Sequence, residues 1–253
     1  MLAFTWIALR FIHFTSLMLV FGFAMYGAWL APLTIRRLLA KRFLRLQQHA
    51  AVWSLISATA MLAVQGGLMG TGWADVFSPN IWQAVLQTQF GGVWLWQIVL
   101  ALVTLIVALM QPRNMPRLLF MLTTAQFILL AGIGHATLNE GVTAKIHQTN
   151  HAIHLICCGG VGLGDYCRVL WCMQLIKGRW RHQAIQALMR FSWCGHFAVI
   201  GVLASGVLNA LLITGFPPTL TTYWGQLLLL KAILVMIMVV IALANRYVLV
   251  TGA

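Results

Sequence analysis

Acidic side chains are almost absent from this sequence. Only three of its 253 residues are Asp or Glu, and charged residues of both signs make up 8% of the chain. Soluble globular domains carry about a quarter charged residues, so this scarcity argues against a soluble domain. It also leaves little material for acid–base catalysis, and the sequence offers no nucleophile–base pair and no phosphate loop. We therefore expect no enzyme.

The positive charge that remains is unbalanced. Sixteen Lys and Arg give a net charge of +13, a value typical of nucleic-acid binders. Here, however, the basic residues lie in short breaks between long apolar runs instead of on one water-exposed face. Because 61% of the residues are hydrophobic and the mean hydropathy is +0.90, the sequence predicts a protein embedded in the lipid bilayer, with no nucleic-acid partner.

Seven apolar runs are long enough to cross a bilayer, since a spanning helix needs roughly 20 mostly apolar residues. None of the runs alternates between polar and apolar positions as a β-barrel requires. The first run is too long for a signal peptide, so we expect it to remain as a helix. The prediction is an all-α bundle forming a single transmembrane domain over 1–253, with helices at about 4–30, 50–73, 92–110, 118–134, 152–176, 191–214 and 225–248.

The basic residues also predict how the chain is oriented. They cluster after the first, third, fifth and seventh runs, whereas the other loops together carry only Lys145. Short loops rich in Lys and Arg stay in the cytoplasm, so the N-terminus is expected outside and the C-terminus inside. The cytoplasmic set is Arg36, Arg37, Lys41, Arg42, Arg45, Arg113, Arg117, Lys177, Arg179, Arg181, Arg190 and Arg246.

The external segment 78–91 differs from the other loops. It holds Trp82, Val85, Leu86 and Phe90 at helical spacing. This pattern predicts a short amphipathic helix along the membrane interface.

Histidines gather at the outer entrance to the fifth run. His147, His151 and His154 are spaced i, i+4 and i+7, so in a helix they share one narrow stripe. His135 lies just beyond the outer end of the fourth run, and His13 lies in the outer part of the first. Imidazole is a common ligand of copper and of zinc, so this spacing predicts a metal site. Hydrogen bonding at the membrane surface is the alternative interpretation.

Sulfur atoms lie near the same side of the predicted bundle. Cys157 and Cys158 follow His154 by about one turn, while Met18 and Met25 lie on the first helix. Thioether and thiolate ligands favour Cu(I), so a path from imidazole at the rim to sulfur further in suits copper. Zinc fits the histidines nearly as well. Methionine is also an ordinary apolar filler, and the cysteines are equally explained as buried thiols.

Charged residues also fall inside predicted spans, where each costs about 2.5 to 3.5 kcal/mol at a helix centre. Arg10 lies near enough to the outer surface for its side chain to reach it. Lys231 lies about two turns into the last helix, where it either reaches the membrane surface or repels a passing cation. Asp165 and Arg168 are spaced i, i+3 and are expected to neutralise each other. They follow four closely spaced glycines, which make a poor continuous helix.

The C-terminal part of the chain carries a recognisable signature. It reads Thr-Thr-Tyr-Trp-Gly-Gln at 221–226, then leucines at 227–230, Lys231, Asn245 and Arg246. This run resembles the Thr-x-Tyr-Gly-x-x-Leu-Leu-x-Lys signature of the bacterial copper resistance protein D family, also called CopD or PcoD. The resemblance is strongest over 190–246 and extends to His13, the basic first loop and the histidine-rich entrance. Further fitting positions are Arg190, Phe191, Ser192 and Gly206.

The resemblance implies a multi-pass protein of the bacterial inner membrane that moves copper into the cytoplasm, with a small periplasmic copper-binding partner of the CopC type. The copper ligands that it implies are His13, His147, His151 and His154. The signature positions that it implies are Tyr223, Gly225 and Lys231. Two departures stand out. Members of the family usually have an aromatic residue, glycines and leucines after the histidine of the fifth helix, whereas this chain reads Cys-Gly-Gly-Val-Gly-Leu-Gly-Asp-Tyr-Cys-Arg at 158–168. The eighth span that is typical of the family is expected to be missing.

Two functions follow from these observations. The first is copper transport, in which the outer histidines capture the ion and polar side chains inside the bundle, Gln65, Gln126 and Asn209, pass it on. The second is an electron carrier that binds haem b, because two histidines on facing helices at similar depth can ligate one haem iron. His13 and His154 are the pair at matching depth.

Overall fold

The structure is a computed structural model that describes residues 1–133, 141–160, 162–214 and 222–244. All regular elements in these ranges are helical, which confirms the predicted all-α class. The α-helices in chain order are α1 Leu2–Met25, α2 Leu33–Met69, α3 Pro79–Leu86, α4 Gln89–Met110, α5 Met115–Ala131, α6 Gly141–Gly160, α7 Leu163–Leu175, α8 Arg181–Thr214 and α9 Tyr223–Ala244.

Several of these helices suit a bilayer. Within the described ranges, five segments are long and apolar enough to cross a membrane: Leu2–Leu30, Leu33–Met69, Gln89–Met110, Gly141–Leu175 and Arg181–Ile213. Two shorter apolar helices are Met115–Ala131 and Gly225–Val240. The count of seven spans and the direction of crossing stay predictions.

Several element boundaries differ from the sequence-based expectation. The basic residues expected in the first loop lie instead in the first turns of α2, which begins directly after Pro32. No Gly or Pro interrupts the chain from Leu33 to Gln65, and the segment is rich in good helix formers. The expected fifth helix is divided, because α6 ends at Gly160 and α7 begins at Leu163. It also begins earlier than expected, at Gly141.

The chain divides into two compact units, Met1–Val202 and Leu203–Ala253. In the first unit, α1 is central and packs against α2, α5, α6 and α7. One of its apolar cores joins α1, α2, α4, α5 and α6 through Leu17, Phe21, Met61, Trp94, Phe127, Leu130, Ala131 and Leu155. The second unit contains the end of α8 and all of α9. The expectation of a single transmembrane domain stays a prediction.

Glycines bring α1 and α7 into backbone contact. A Cβ added at Gly164 would lie 2.6 Å from the carbonyl oxygen of Leu19, so only glycine fits. This contact buries both Asp165 and Arg168. The Arg168 guanidinium lies 5.0 Å from the centre of the Phe23 ring, a cation–π contact. The Asp165 carboxylate has no hydrogen-bond partner in the part of the chain that the structure describes.

The amphipathic helix expected over 78–91 is present in part as α3, which ends at Leu86, whereas Phe90 lies in the first turn of α4. Trp82 on α3 donates its indole N–H to the carbonyl oxygen of Val76 at 2.8 Å, and Val85 is buried. A short 3₁₀ helix, Trp73–Phe77, precedes α3. There the backbone N–H and the hydroxyl of Thr71 both donate to Asp75, and these bonds hold the pKa of that carboxyl below its usual range. The position of α3 along the membrane interface stays a prediction.

A tight turn joins α3 to α4. The Thr88 hydroxyl accepts a hydrogen bond from the Gly91 backbone N–H at 3.1 Å and caps α4. Gly91 is buried directly against the end of α3, because a Cβ there would lie 2.6 Å from the Leu86 Cα. The next residue, Gly92, is exposed and has nothing within 4 Å of the same position.

Gly91→Ala is therefore expected to destabilise the protein by about 1–3 kcal/mol, since the added methyl meets backbone that cannot move away cheaply. Gly92→Ala is the matched control and is expected to leave stability unchanged or slightly higher, because alanine is the better helix former. Thermal unfolding of both variants in detergent measures the difference. Equal unfolding midpoints would show that the turn is not packed as described.

Candidate metal-binding site

His13 is fully buried in the middle of α1. Its Nδ1 lies 3.1 Å from the Ser54 carbonyl oxygen and 3.1 Å from the Ser57 hydroxyl, both on α2. A carbonyl oxygen only accepts hydrogen bonds, so Nδ1 carries the proton and donates it to Ser54. This leaves the lone pair of the neutral imidazole on Nε2. A metal-binding histidine is often oriented in the same way.

The Nε2 lone pair of His13 is already engaged. It lies 3.1 Å from the Gln97 amide nitrogen on α4, which donates to it. That nitrogen is also 3.4 Å from the Gln126 amide oxygen on α5, and Gln126 in turn donates to the Thr104 hydroxyl at 2.9 Å. All of these side chains are buried. We call this set, with Ser54 and Ser57, the His13 network.

The His13 network bears on both predicted functions. It includes Gln126, one of the three residues expected along a polar path, whereas Gln65 lies half-buried on α2. For His13 to bind copper or haem iron, the Gln97 amide must first rotate away from Nε2. The Gln97 amide oxygen has no partner within the described residues, so the amide is bonded on one side only. No observation specifically favours the haem alternative.

Sequence reasoning missed Gln97, Ser54 and Ser57. Gln97 could have been recognised as a candidate from the sequence, because it is a polar residue in the apolar run of α4 and polar residues inside a membrane are commonly functional. The two serines gave no comparable signal, because small hydroxyl side chains are common in membrane helices.

The three histidines of the predicted stripe lie on α6, as the i, i+4, i+7 spacing requires. His147 is buried, and His151 and His154 are half-buried. The same helix contributes Leu155 to the apolar core, and it packs against α1 and α5. The stripe is therefore partly enclosed by the bundle. His135 lies outside the described residues.

The structure does not bring these side chains into a complete metal site. Among the described residues, no three His, Cys, Asp or Glu side chains are grouped so that they could hold a metal ion. Met18 packs at the edge of the apolar core, and Cys157 is a half-buried free thiol. A Cβ at Gly201 would lie 2.6 Å from the Cys157 sulfur, so this thiol is packed closely against α8. The predicted ligand set stays a prediction.

Two of the C-terminal signature residues begin α9. The Gly225 backbone N–H donates to the Thr222 hydroxyl at 3.1 Å, which caps the helix, and Gly225 is buried. Tyr223 is 77% exposed and Lys231 is also exposed. Asn209, from the expected polar path, is half-buried on α8. The signature positions 221, 245 and 246 lie outside the described residues.

Two family models match the chain. The N-terminal domain of copper resistance protein D-like proteins matches residues 1–145, and copper resistance protein D matches residues 185–253. The chain belongs to the copper resistance protein D family. The resemblance seen in the sequence is therefore confirmed, and the residues between the two matches include the atypical segment 158–168.

Two named proteins are similar to this chain over most of its length. It is 95% identical over 250 residues to the inner membrane protein YebZ of Escherichia coli strain K12, covering 99% of this chain and 86% of that protein. It is 30% identical over 256 residues to copper resistance protein D of Pseudomonas syringae pv. tomato, covering 96% and 81%. No solved structure matches the chain. The chain is thus a copper-related protein of the bacterial inner membrane, and neither relative is named as an enzyme.

Replacing His13 tests whether its network holds the bundle together. His13→Ala removes the hydrogen bonds that the imidazole makes with the Ser54 carbonyl and the Gln97 amide, and each lost bond costs about 0.5–1.5 kcal/mol. The Ser54 carbonyl keeps its bond from the Ser57 hydroxyl, and the Gln97 amide keeps its 3.4 Å contact with Gln126. We expect a clearly lower thermal unfolding midpoint in detergent. His49→Ala is the matched control, because His49 is exposed on α2, and it should unfold like the parent protein. An unchanged midpoint for His13→Ala would contradict the network.

Proposed function

We propose that this family member carries copper across the inner membrane into the cytoplasm. The observation that supports the proposal most directly is the histidine stripe of α6, which points three imidazoles along one partly enclosed face. Imidazole binds copper well, and the chain is related to a protein named for copper resistance. Membership of the family makes copper a better cargo than zinc.

The proposed direction rests on the distribution of charge. Basic residues crowd the first turns of α2 and the segment that joins α7 to α8, which we assign to the cytoplasmic side. With that orientation, the N-terminal end of α6 faces the periplasm. His147 then lies nearest the outside, and His151 and His154 lie successively deeper, at 1.5 Å of rise per residue.

The route inward is proposed to follow the side chains at the centre of the bundle. His13 lies on α1 beside α6, and rotation of the Gln97 amide would expose its Nε2 lone pair to the ion. Sulfur from Met18, Met25 and Cys157 is available on the same two helices and suits Cu(I). The ion is thus passed from imidazole to imidazole and then to softer ligands.

The outer end of the stripe is the proposed point of delivery for copper. A small periplasmic copper-binding protein of the CopC type would present the ion there. Such a partner would contact the outer ends of the helices and leave the His13 network inside the bundle untouched.

The combined change His151→Ala and His154→Ala tests the capture site. We expect copper accumulation to fall severalfold in cells that rely on this protein for uptake, because two of three aligned imidazoles are lost. His49→Ala is the control and should accumulate copper normally. Membrane levels of both variants are measured in parallel. Unchanged accumulation in the double variant, at equal protein level, would contradict the proposed capture site.

A further inference from the structure

A polar cavity is formed by parts of the chain that are distant in sequence from the histidine stripe. It has a volume of about 420 Å³ and opens between the segment 31–36 and the first turns of α8. The polar side chains that line it are Thr34, Arg36, His182, Gln183, Gln186 and Arg190. None of the described residues that line this cavity is acidic, and the whole sequence has only three Asp or Glu. We call it the arginine cavity.

Arg36 is held in place at the wall of the arginine cavity. Its Nη2 donates to the carbonyl oxygens of Ala28 at 3.1 Å and of Ala31 at 3.2 Å. These carbonyls lie in and directly after a π-helical turn, Tyr26–Leu30, that ends α1. The Arg36 Nε is buried and has no partner within the described part of the chain. The guanidinium is therefore fixed in position with a donor still unused.

Among the described residues, the neighbours of Arg36 add positive charge and no acidic side chain. Arg190 lines the same cavity, and both Arg117 and Arg190 lie close enough to Arg36 for their charges to repel it. His182 and Gln186 add polar ring and amide nitrogens, which lie 3.2 Å apart. Like charges gathered without a counter-charge favour binding of an anion, and arginine is well suited to phosphate.

Large apolar side chains flank the arginine cavity and are exposed. Trp29 and Leu33 lie on the segment that leads into α2, and Met189 and Trp193 lie on α8 beside Arg190. In a membrane protein such side chains face lipid, and tryptophan favours the level of the headgroups. A ligand with a phosphate and adjoining hydrocarbon chains fits these surroundings better than a free inorganic ion does.

We propose that the arginine cavity binds the phosphate headgroup of an anionic phospholipid, with Arg36 and Arg190 on the phosphate and the acyl chains along the exposed apolar side chains. Basic pockets between membrane helices on the cytoplasmic side suit such headgroups. Placing this lipid in the inner leaflet rests on the orientation proposed above. The site itself does not depend on copper transport.

Thermal unfolding of the purified full-length chain in detergent tests the proposal, with phosphatidylglycerol, phosphatidylcholine or inorganic phosphate added in turn. Phosphatidylglycerol should raise the midpoint at a concentration about tenfold lower than phosphatidylcholine. Arg190→Gln should weaken this effect about tenfold, because an exposed arginine is lost without disturbing the Arg36 contacts. Arg37→Gln removes the same charge from an exposed position outside the cavity and should respond like the parent protein.

Each alternative result overturns the proposal in a distinct way. Equal stabilisation by the two lipids would show that charge is not recognised. If inorganic phosphate stabilises the protein and also displaces phosphatidylglycerol, the ligand of the cavity is a soluble anion. If Arg190→Gln and Arg37→Gln weaken stabilisation by phosphatidylglycerol equally, the lipid is attracted by the basic surface as a whole and not by this cavity. Copper binding by Arg190→Gln, measured on the same preparation, should stay unchanged, so failure here leaves the copper proposal intact.

Discussion

The hydrogen bonds of His13 are the constraint on which the first unit of the structure depends. A bilayer offers no water to a buried polar group, so each one must find its partner inside the protein. The imidazole donates to α2 and accepts from α4, and Gln97 extends the contact to α5. These bonds fix how α1 is rotated, and that rotation turns Leu17 and Phe21 toward the core shared with α6.

Helix α1 also links two regions of different chemistry. It packs against α6, the helix that carries the histidine stripe, and it is followed by the π-helical turn that accepts a hydrogen bond from Arg36. The first region has imidazole and sulfur for a soft or borderline cation. The second has guanidinium groups for an anion. One helix thus connects the proposed entry of the metal with the proposed anchoring of the protein to lipid.

Periodicity predicted the helical class, the alignment of the histidines on α6 and the short helix α3, because each depends on neighbours in the chain. It failed at α2, where basic residues suggested a loop although nothing in the segment breaks a helix. The spacing of Asp165 and Arg168 predicted that their charges offset each other, and the two do lie close enough for their charges to attract. It did not predict the glycine contact with α1 that buries them, or the ring of Phe23 against Arg168. The partners of His13 lie on other helices, which a single sequence does not reveal.

The proposed transport of copper depends on direct binding of the ion by the imidazoles of α6. X-ray absorption spectroscopy of the purified, copper-loaded chain tests this binding, since imidazole rings give a characteristic scattering pattern around the metal. We expect copper bound by at least two imidazoles in the parent protein, and loss of that pattern when His147, His151 and His154 are replaced together. Copper surrounded by sulfur alone, or the same imidazole pattern in the triple variant, would contradict it.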